Sequence, residues 1–300
     1  MEKLHIRFLR YSAFYTPLLL TMTPGYLDAE GLEATFDVVA PGRTIPDGIR
    51  DGSVQVAQSA VAVSFAPYLA GAPMPFVHFA LLNDRDGFFL AGRASTRAAA
   101  AAPFDWRALE DRAIVADHFF QPMAMLRRAL HLRGVDAARI RMIDAGDPAA
   151  IERAWRAGGG DFVHMQGPQP QQFEQDGLGP VVASVGEVVG PVAFSSLCAA
   201  PAWVGTPAAA AFTRAFRRAR SDAYSRPAEQ TAEAVAGFLP GIDPPALVRA
   251  IATYQALGCW AGGIDITPAL YEATLDVFEF SGDIASRPPF TEIIAPPPWI

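Results

Sequence analysis

The chain has 300 residues, 51% of them hydrophobic and 18% charged. That supplies a sizeable core and, at roughly 100–200 residues per domain, room for two domains. The formal net charge of −7 and the lack of a domain-sized basic patch argue against nucleic acid as a partner, and the single lysine, Lys3, argues against Schiff-base chemistry.

Met1 to Arg10 alternates like a strand and lacks the long apolar core and small-residue cleavage site of a signal peptide. The chain as it stands therefore reads as cytoplasmic, and as periplasmic if a leader was removed. The most apolar long window, residues 61–82, is interrupted by Pro67, Gly71, Pro73, Pro75 and His78, which argues against membrane insertion. Cys198 and Cys259 belong to no C-x-x-C pair and no His/Cys cluster, so no metal is expected. They read as two buried thiols, with a disulfide the alternative in an exported chain.

In chain order the first 92 residues read as strand–helix units. Strands are expected at His5 to Arg10, Glu33 to Ala40, Val54 to Ser59, Phe76 to Leu82 and Phe88 to Gly92, with helices at Thr16 to Gly25, Arg43 to Gly52 and Ala60 to Ala70. Pro17 suits a first helical turn, and Gly25 a C-terminal cap. Alternating strands and helices imply a largely parallel sheet covered on both faces. Composition shifts at the alanine-rich stretch from Arg93 to Pro103, and a second α/β series follows. Its strands are Ala113 to Asp117, Ile140 to Ile143, Phe162 to Met165 and Val181 to Val185, and its helices Pro122 to Arg133 and Pro148 to Ala157. Val192 to Ala199 is an extended return. Four helices then begin near Pro207, Pro227, Pro244 and Pro268, before an extended, proline-rich surface tail from Pro288. Two α/β series followed by helices suggest one lobe inserted into another: residues 1–92 with 195–300, and residues 93–194, hinged near 90–94 and 191–197.

Three passages carry a family resemblance. They are Gly25–Tyr–Leu–Asp–Ala–Glu–Gly–Leu–Glu33, Ile49–Arg–Asp–Gly–Ser–Val–Gln–Val–Ala57, and Tyr254–Gln–Ala–Leu–Gly–Cys–Trp260 with Tyr271 to Ile284. In order and spacing they resemble the substrate-binding proteins of nitrate, sulfonate, taurine and thiamine-precursor ABC importers. One departure is Gln55, which stands where the family carries an acidic residue. The resemblance implies an α/β, two-lobed periplasmic-binding-protein type II fold, with two mixed sheets flanked by helices and a two-strand hinge. It implies a small-molecule binder, an ABC permease as partner, and no cofactor. Gly25 and Gly31 serve the turns of the motif, and Leu32 and Phe36 are expected to enter the core.

Ligands of open α/β sheets sit beyond the carboxyl ends of strands. The residues expected there are Tyr11, Ser12, Phe14 and Tyr15, then Arg43 and Thr44, then Gln58 and Ser59, with His118, Phe119, Phe120 and Gln166 of the inserted lobe and Ser195 on the return. Aromatic faces with neutral hydrogen-bonding groups and one arginine suit a small aromatic or heterocyclic solute, with or without a carboxylate or sulfonate that Arg43 would hold. Each residue also has a plain alternative: core caps for the tyrosines and Phe14, a helix cap for Ser59, and a solvated Arg43. Trp260 is placed either in the core or at the cleft.

An enzyme on the same fold is the second reading. Thiamine-pyrimidine synthases use a pyridoxal phosphate lysine and a cysteine-rich motif, which this chain lacks. Aromatic sulfinate desulfinases resemble it in Asp86–Gly–Phe–Phe–Leu90, but Ser12, Ala13 and Phe14 stand where their nucleophilic cysteine belongs. For a related aromatic-acid decarboxylase, His118 would be the acid or base and Arg43 the carboxylate clamp.

Overall fold

The computed structural model describes residues 1–40, 42–96 and 103–298; residues 97–102 of the alanine-rich stretch and the last two of the tail lie outside them. The strands, in chain order, are β1 (Glu2–Phe8), β2 (Leu32–Val38), β3 (Val56–Ser59), β4 (Val77–Asn83), β5 (Phe88–Gly92), β6 (Ala113–Ala116), β7 (Arg141–Asp144), β8 (Phe162–Gln166), β9 (Val181–Ser184) and β10 (Ser195–Ala199). They form two five-stranded sheets, ordered β2-β1-β3-β10-β4 and β7-β6-β8-β5-β9.

Both sheets follow one plan. In the first, β1 lies parallel to β2 and β3, and β10 runs antiparallel between β3 and β4. In the second, β6 lies parallel to β7 and β8, and β5 runs antiparallel between β8 and β9. The antiparallel member of each sheet is the strand by which the chain arrives from the other sheet. Parallel strands with helical crossovers bury both faces, and accordingly every residue of β3, β5, β6 and β8 is buried. On β1 alternation survives, with Leu4, Ile6 and Phe8 inside.

The helices are α1 (Thr16–Thr21), α2 (Ile45–Arg50), α3 (Phe65–Leu69), α4 (Phe120–Leu132), α5 (Pro148–Arg156), α6 (Gln169–Gln175), α7 (Val185–Val189), α8 (Pro201–Val204), α9 (Pro207–Ser225), α10 (Ala228–Val235), α11 (Pro244–Leu257), α12 (Pro268–Phe280) and α13 (Phe290–Ile293). Proline occupies the first turn of α9, α11 and α12, where its missing N–H costs no helical bond. One buried apolar cluster runs from Phe8 and Leu18 through Phe88 and Phe89 to Leu126 and Leu130, so the two sheets share a core.

Several expectations are corrected. Strand β5, read as the end of the first lobe, pairs only within the second sheet, so the chain leaves the first sheet between Asn83 and Phe88. Phe36 does not enter the core: β2 is an edge strand, and the ring is 40% exposed with Phe238 at 5.6 Å. The tail is not a loose surface segment. It forms α13, buries Ile293 and Ile294, and bridges the edge strand β4 at His78. Helix α6 carries no apolar periodicity to announce it; its Gln-rich face is buried instead. Gln55 accepts from the His5 N–H at 2.7 Å and donates to Gly52 O at 2.8 Å, so it pins the turn before β3 to β1.

The passage from β4 to β5 leaves no spare room. A Cβ on Gly186, in the first turn of α7, would stand 2.1 Å from the carbonyl oxygen of Asp86, a backbone atom that cannot step aside. The variant Gly186→Ala should lose about 1–3 kcal/mol of stability, the usual cost of overpacking, read as a lower urea midpoint with an unchanged slope.

Candidate functional site

The carboxyl ends of β1 and β8 face each other where the two sheets meet. Ser12 follows β1 in an extended conformation and caps the short 3-10 turn Ala13–Tyr15 by accepting from Phe14 N. That turn sends Phe14 and Tyr15 into the space between the sheets. Ser12 Oγ also donates across to Gly167 O at 2.6 Å. Tyr254 of α11 accepts from Gly167 N at 2.8 Å and donates to Gly87 O at 2.8 Å. Gln166 Nε2 donates to Tyr15 OH at 3.3 Å. On the other flank Gln121 Nε2 donates to Phe194 O at 2.7 Å. Arg10, two residues past β1, reaches Asp117, one residue past β6, at 3.4 Å.

The seam so formed is aromatic as well as polar. Phe14 lies 5.5 Å from Phe194 and 5.0 Å from Tyr254. Phe88 has Arg10 over one face at 5.7 Å and the His164 ring stacked at 4.9 Å. Several buried polar atoms here have no partner: Gln121 Oε1, Gln166 Oε1, Asp86 Oδ2 and both ring nitrogens of His164. A buried polar atom without a protein partner is costly, and it calls for a partner from water, an ion or a ligand.

The charges are set by burial. Desolvation draws the Arg10 guanidinium down, but Tyr15 and Asp117 outweigh it and hold its pKa above the ordinary value. Burial pushes the Asp86 carboxyl well up, opposed by a hydrogen bond from Phe88 N, and lowers His164 to about 4. Tyr254 is raised far above its usual value by burial, so its OH stays protonated and keeps both hydrogen bonds.

Of the residues expected from sequence, the fold gathers Ser12, Phe14, Tyr15 and Gln166 at the seam. It does not gather the rest. Arg43 is an exposed arginine beside Asp51 at 3.4 Å, and Thr44 is the exposed N-cap of α2, in a capping box with Asp47; neither can clamp a ligand here. Tyr11 turns to Phe8 and Phe238. Gln58 spends its oxygen on Leu9 N, while Ser59 and Ser195 are buried in strands of the first sheet. His118 sits half-buried at the rim, with Nδ1 2.8 Å from Ala116 O. Phe119 is 64% exposed, and Phe120 packs on Phe278. Trp260 is core, bonded through Nε1 to Phe14 O. The residues that sequence reasoning passed over are Arg10, Asp86, His164 and Tyr254. The one available signal was the charged run Asp84–Arg85–Asp86 ahead of a wholly apolar strand.

Two surface hollows of about 300 and 560 Å³ flank Thr23 and Pro24 beyond α1, but no seam residue lines either. Five of the buried side-chain atoms without a protein hydrogen-bond partner lie at the seam. Among the described residues no cluster of three or more His, Cys, Asp and Glu could hold a metal ion, and no helix is long and apolar enough to cross a membrane. Cys198 and Cys259 are buried free thiols.

No protein-family model matches the chain. It is 24% identical over 299 residues to the "Putative binding protein YtlA" of Bacillus subtilis, covering 98% of this chain and 88% of that protein. Among solved structures it is similar to the alkanesulfonate-binding protein SsuA of Xanthomonas axonopodis pv. citri bound to MOPS, with a TM-score of 0.74, 15% identity and 99% of each chain covered. It is also similar to a zinc-bound ligand-binding component of an ABC-type import system from Staphylococcus aureus, with a TM-score of 0.76, 13% identity, and 99% and 97% of the two chains covered. The fold is therefore that of the periplasmic binding proteins of ABC importers.

The depressed pKa of His164 has a consequence for stability. The unfolded imidazole titrates at about 6.5 and the folded one near 4, so the unfolded state binds more protons between these values and stability falls as pH falls through that window. The variant His164→Leu should therefore gain on the wild type by about 2 kcal/mol in all between pH 6.5 and 4.5 in urea titrations, with little difference in slope above pH 7. Parallel pH profiles would refute a buried neutral His164.

Proposed function

We propose that this chain is a solute-binding protein that closes over one small organic molecule at the seam, an aromatic or heterocyclic solute with or without one carboxylate or sulfonate group. The observation that supports this best is the set of buried polar atoms left without partners where two strand ends meet, at Gln121, Gln166, Asp86 and His164. Phe14 and Phe194 supply the aromatic lining beside them, and Arg10 offers the cation. The names of the alkanesulfonate-binding protein SsuA and the putative binding protein YtlA point the same way.

In this reading the binding units are residues 1–83 with 195–298, and residues 88–184. The passages 84–87 and 185–194 between the sheets are the pivots about which the seam opens. An ABC permease, receiving the solute from the closed form, is the partner that follows. His118 contributes no step to this reading.

A solute that binds only the folded state stabilises it by about 2.7 kcal/mol at a hundredfold excess over Kd. Benzoate, benzenesulfonate and their ring-substituted analogues are the first probes. At least one should raise the melting temperature and be recovered unchanged, and Arg10→Gln should abolish the shift while retaining the far-UV circular dichroism spectrum. A shift of full size in Arg10→Gln would move the site away from the seam.

A further inference from the structure

Resting on the binding reading above, the seam also carries information about the charge of its solute. Arg10 and Asp117 come from opposite sheets and meet at 3.4 Å, longer than the roughly 2.7–2.9 Å of a charge-assisted hydrogen bond. The Asp117 side chain is 7% exposed and that of Arg10 is 29% exposed, so neither charge is well served by water. Asp117 Oδ1 already takes the Phe119 N–H, and Oδ2 faces Arg10. The other titratable groups at the seam are Asp86, His164, Tyr15 and Tyr254, with His118 at the rim; burial favours the neutral forms of Asp86, His164 and Tyr254. Arg10 and Asp117 are the opposite charges that meet across the seam, and Asp117 stands four residues before a buried acceptor of known orientation. Gln121 gives its N–H to the carbonyl of Phe194, which can only accept, so the unpartnered atom of that amide is its oxygen.

A solute with a single negative charge would pair with Arg10 but strand Asp117 beside it, buried and repelled. A single positive charge would strand Arg10. We infer that the seam takes an amphoteric solute, which inserts between Arg10 and Asp117, its anionic group on Arg10 and its ammonium or other N–H-rich group on Asp117 and Gln121 Oε1.

The test uses matched probes on one ring: 4-(aminomethyl)benzoate, 4-methylbenzoate, 4-methylbenzylamine and 4-methylbenzamide, with 3-aminopropanesulfonate and propanesulfonate as an aliphatic pair. Affinities are read by calorimetry on the wild type, Asp117→Asn and Arg10→Gln. The expected result is at least tenfold tighter binding of the amphoteric member than of its singly charged partners. Asp117→Asn, which keeps the acceptor for Phe119 N, should narrow that ratio by raising the affinity for the anion, and Arg10→Gln should do so for the amine. Binding of 4-methylbenzoate or propanesulfonate as tight as the amphoteric analogue, and unchanged in Asp117→Asn, overturns the inference and leaves the binding reading standing. If none of the six compounds binds the wild type, the binding reading falls with it.

Discussion

The peptide group of Gly167 joins the two halves of this molecule. Its oxygen is taken by Ser12 from the end of β1, and its N–H by Tyr254 from α11, whose own hydroxyl proton goes to Gly87. A side chain here would put a Cβ 2.6 Å from the Tyr254 hydroxyl, so the contact requires glycine. Tyr254 is wholly buried and its phenol cannot ionise at ordinary pH, which makes it a permanent donor and acceptor. With those bonds in place the carboxyl ends of β1 and β8 face each other, and every other contact across the seam follows from that. Tyr15 meets Gln166, Arg10 meets Asp117, and α6, continuing from β8, comes against α11, where Gln172 and Asp243 exchange hydrogen bonds.

The seam combines two opposed requirements. Burial of Phe14, Phe88 and Phe194 ties the halves together through the hydrophobic effect and keeps water away from the polar groups between them. The same exclusion of water makes each unpaired amide oxygen and imidazole nitrogen expensive to leave as it is. A purely structural interface would satisfy those groups or replace them with apolar ones. In the proposed reading the bound solute supplies the partners that these groups lack. Several of the hydrogen bonds that cross it use a backbone atom of one side, as at Gly167 and Phe194.

The architecture was largely legible because it follows from local chemistry. Prolines mark the starts of α9, α11 and α12 at their true positions, and β5 was read with its bounds intact, since five apolar residues between Gly87 and Arg93 have no other use. The family passages carried the expectation of two mixed sheets, which local pattern alone does not contain. What failed was whatever depends on distant neighbours. Phe36 has the pattern of a core residue, but β2 turned out to be an edge. The tail looked irregular because its helix has four residues between prolines, and its burial is supplied by His78, far back in the chain.

The site illustrates the same division. A rule about strand ends, which is local, named Ser12, Phe14, Tyr15 and Gln166, and these four lie at the seam. Arg43 and Arg10 look equally plausible beside a strand end in the sequence, and only Arg10 lies at the seam. What separates them is a carboxylate 107 residues away from Arg10, against one eight residues from Arg43. The first pairing exists only in the folded state and brings two sheets together; the second forms on the surface of one turn and is screened by water. His164 was hidden for a related reason: within a wholly buried strand, a histidine looks like one more interior residue. Its neutrality, like that of Asp86, is imposed by the surrounding apolar packing. Arg10 and Asp117 are the opposite charges that meet across the seam, and it is this pairing that the proposed amphoteric solute would replace.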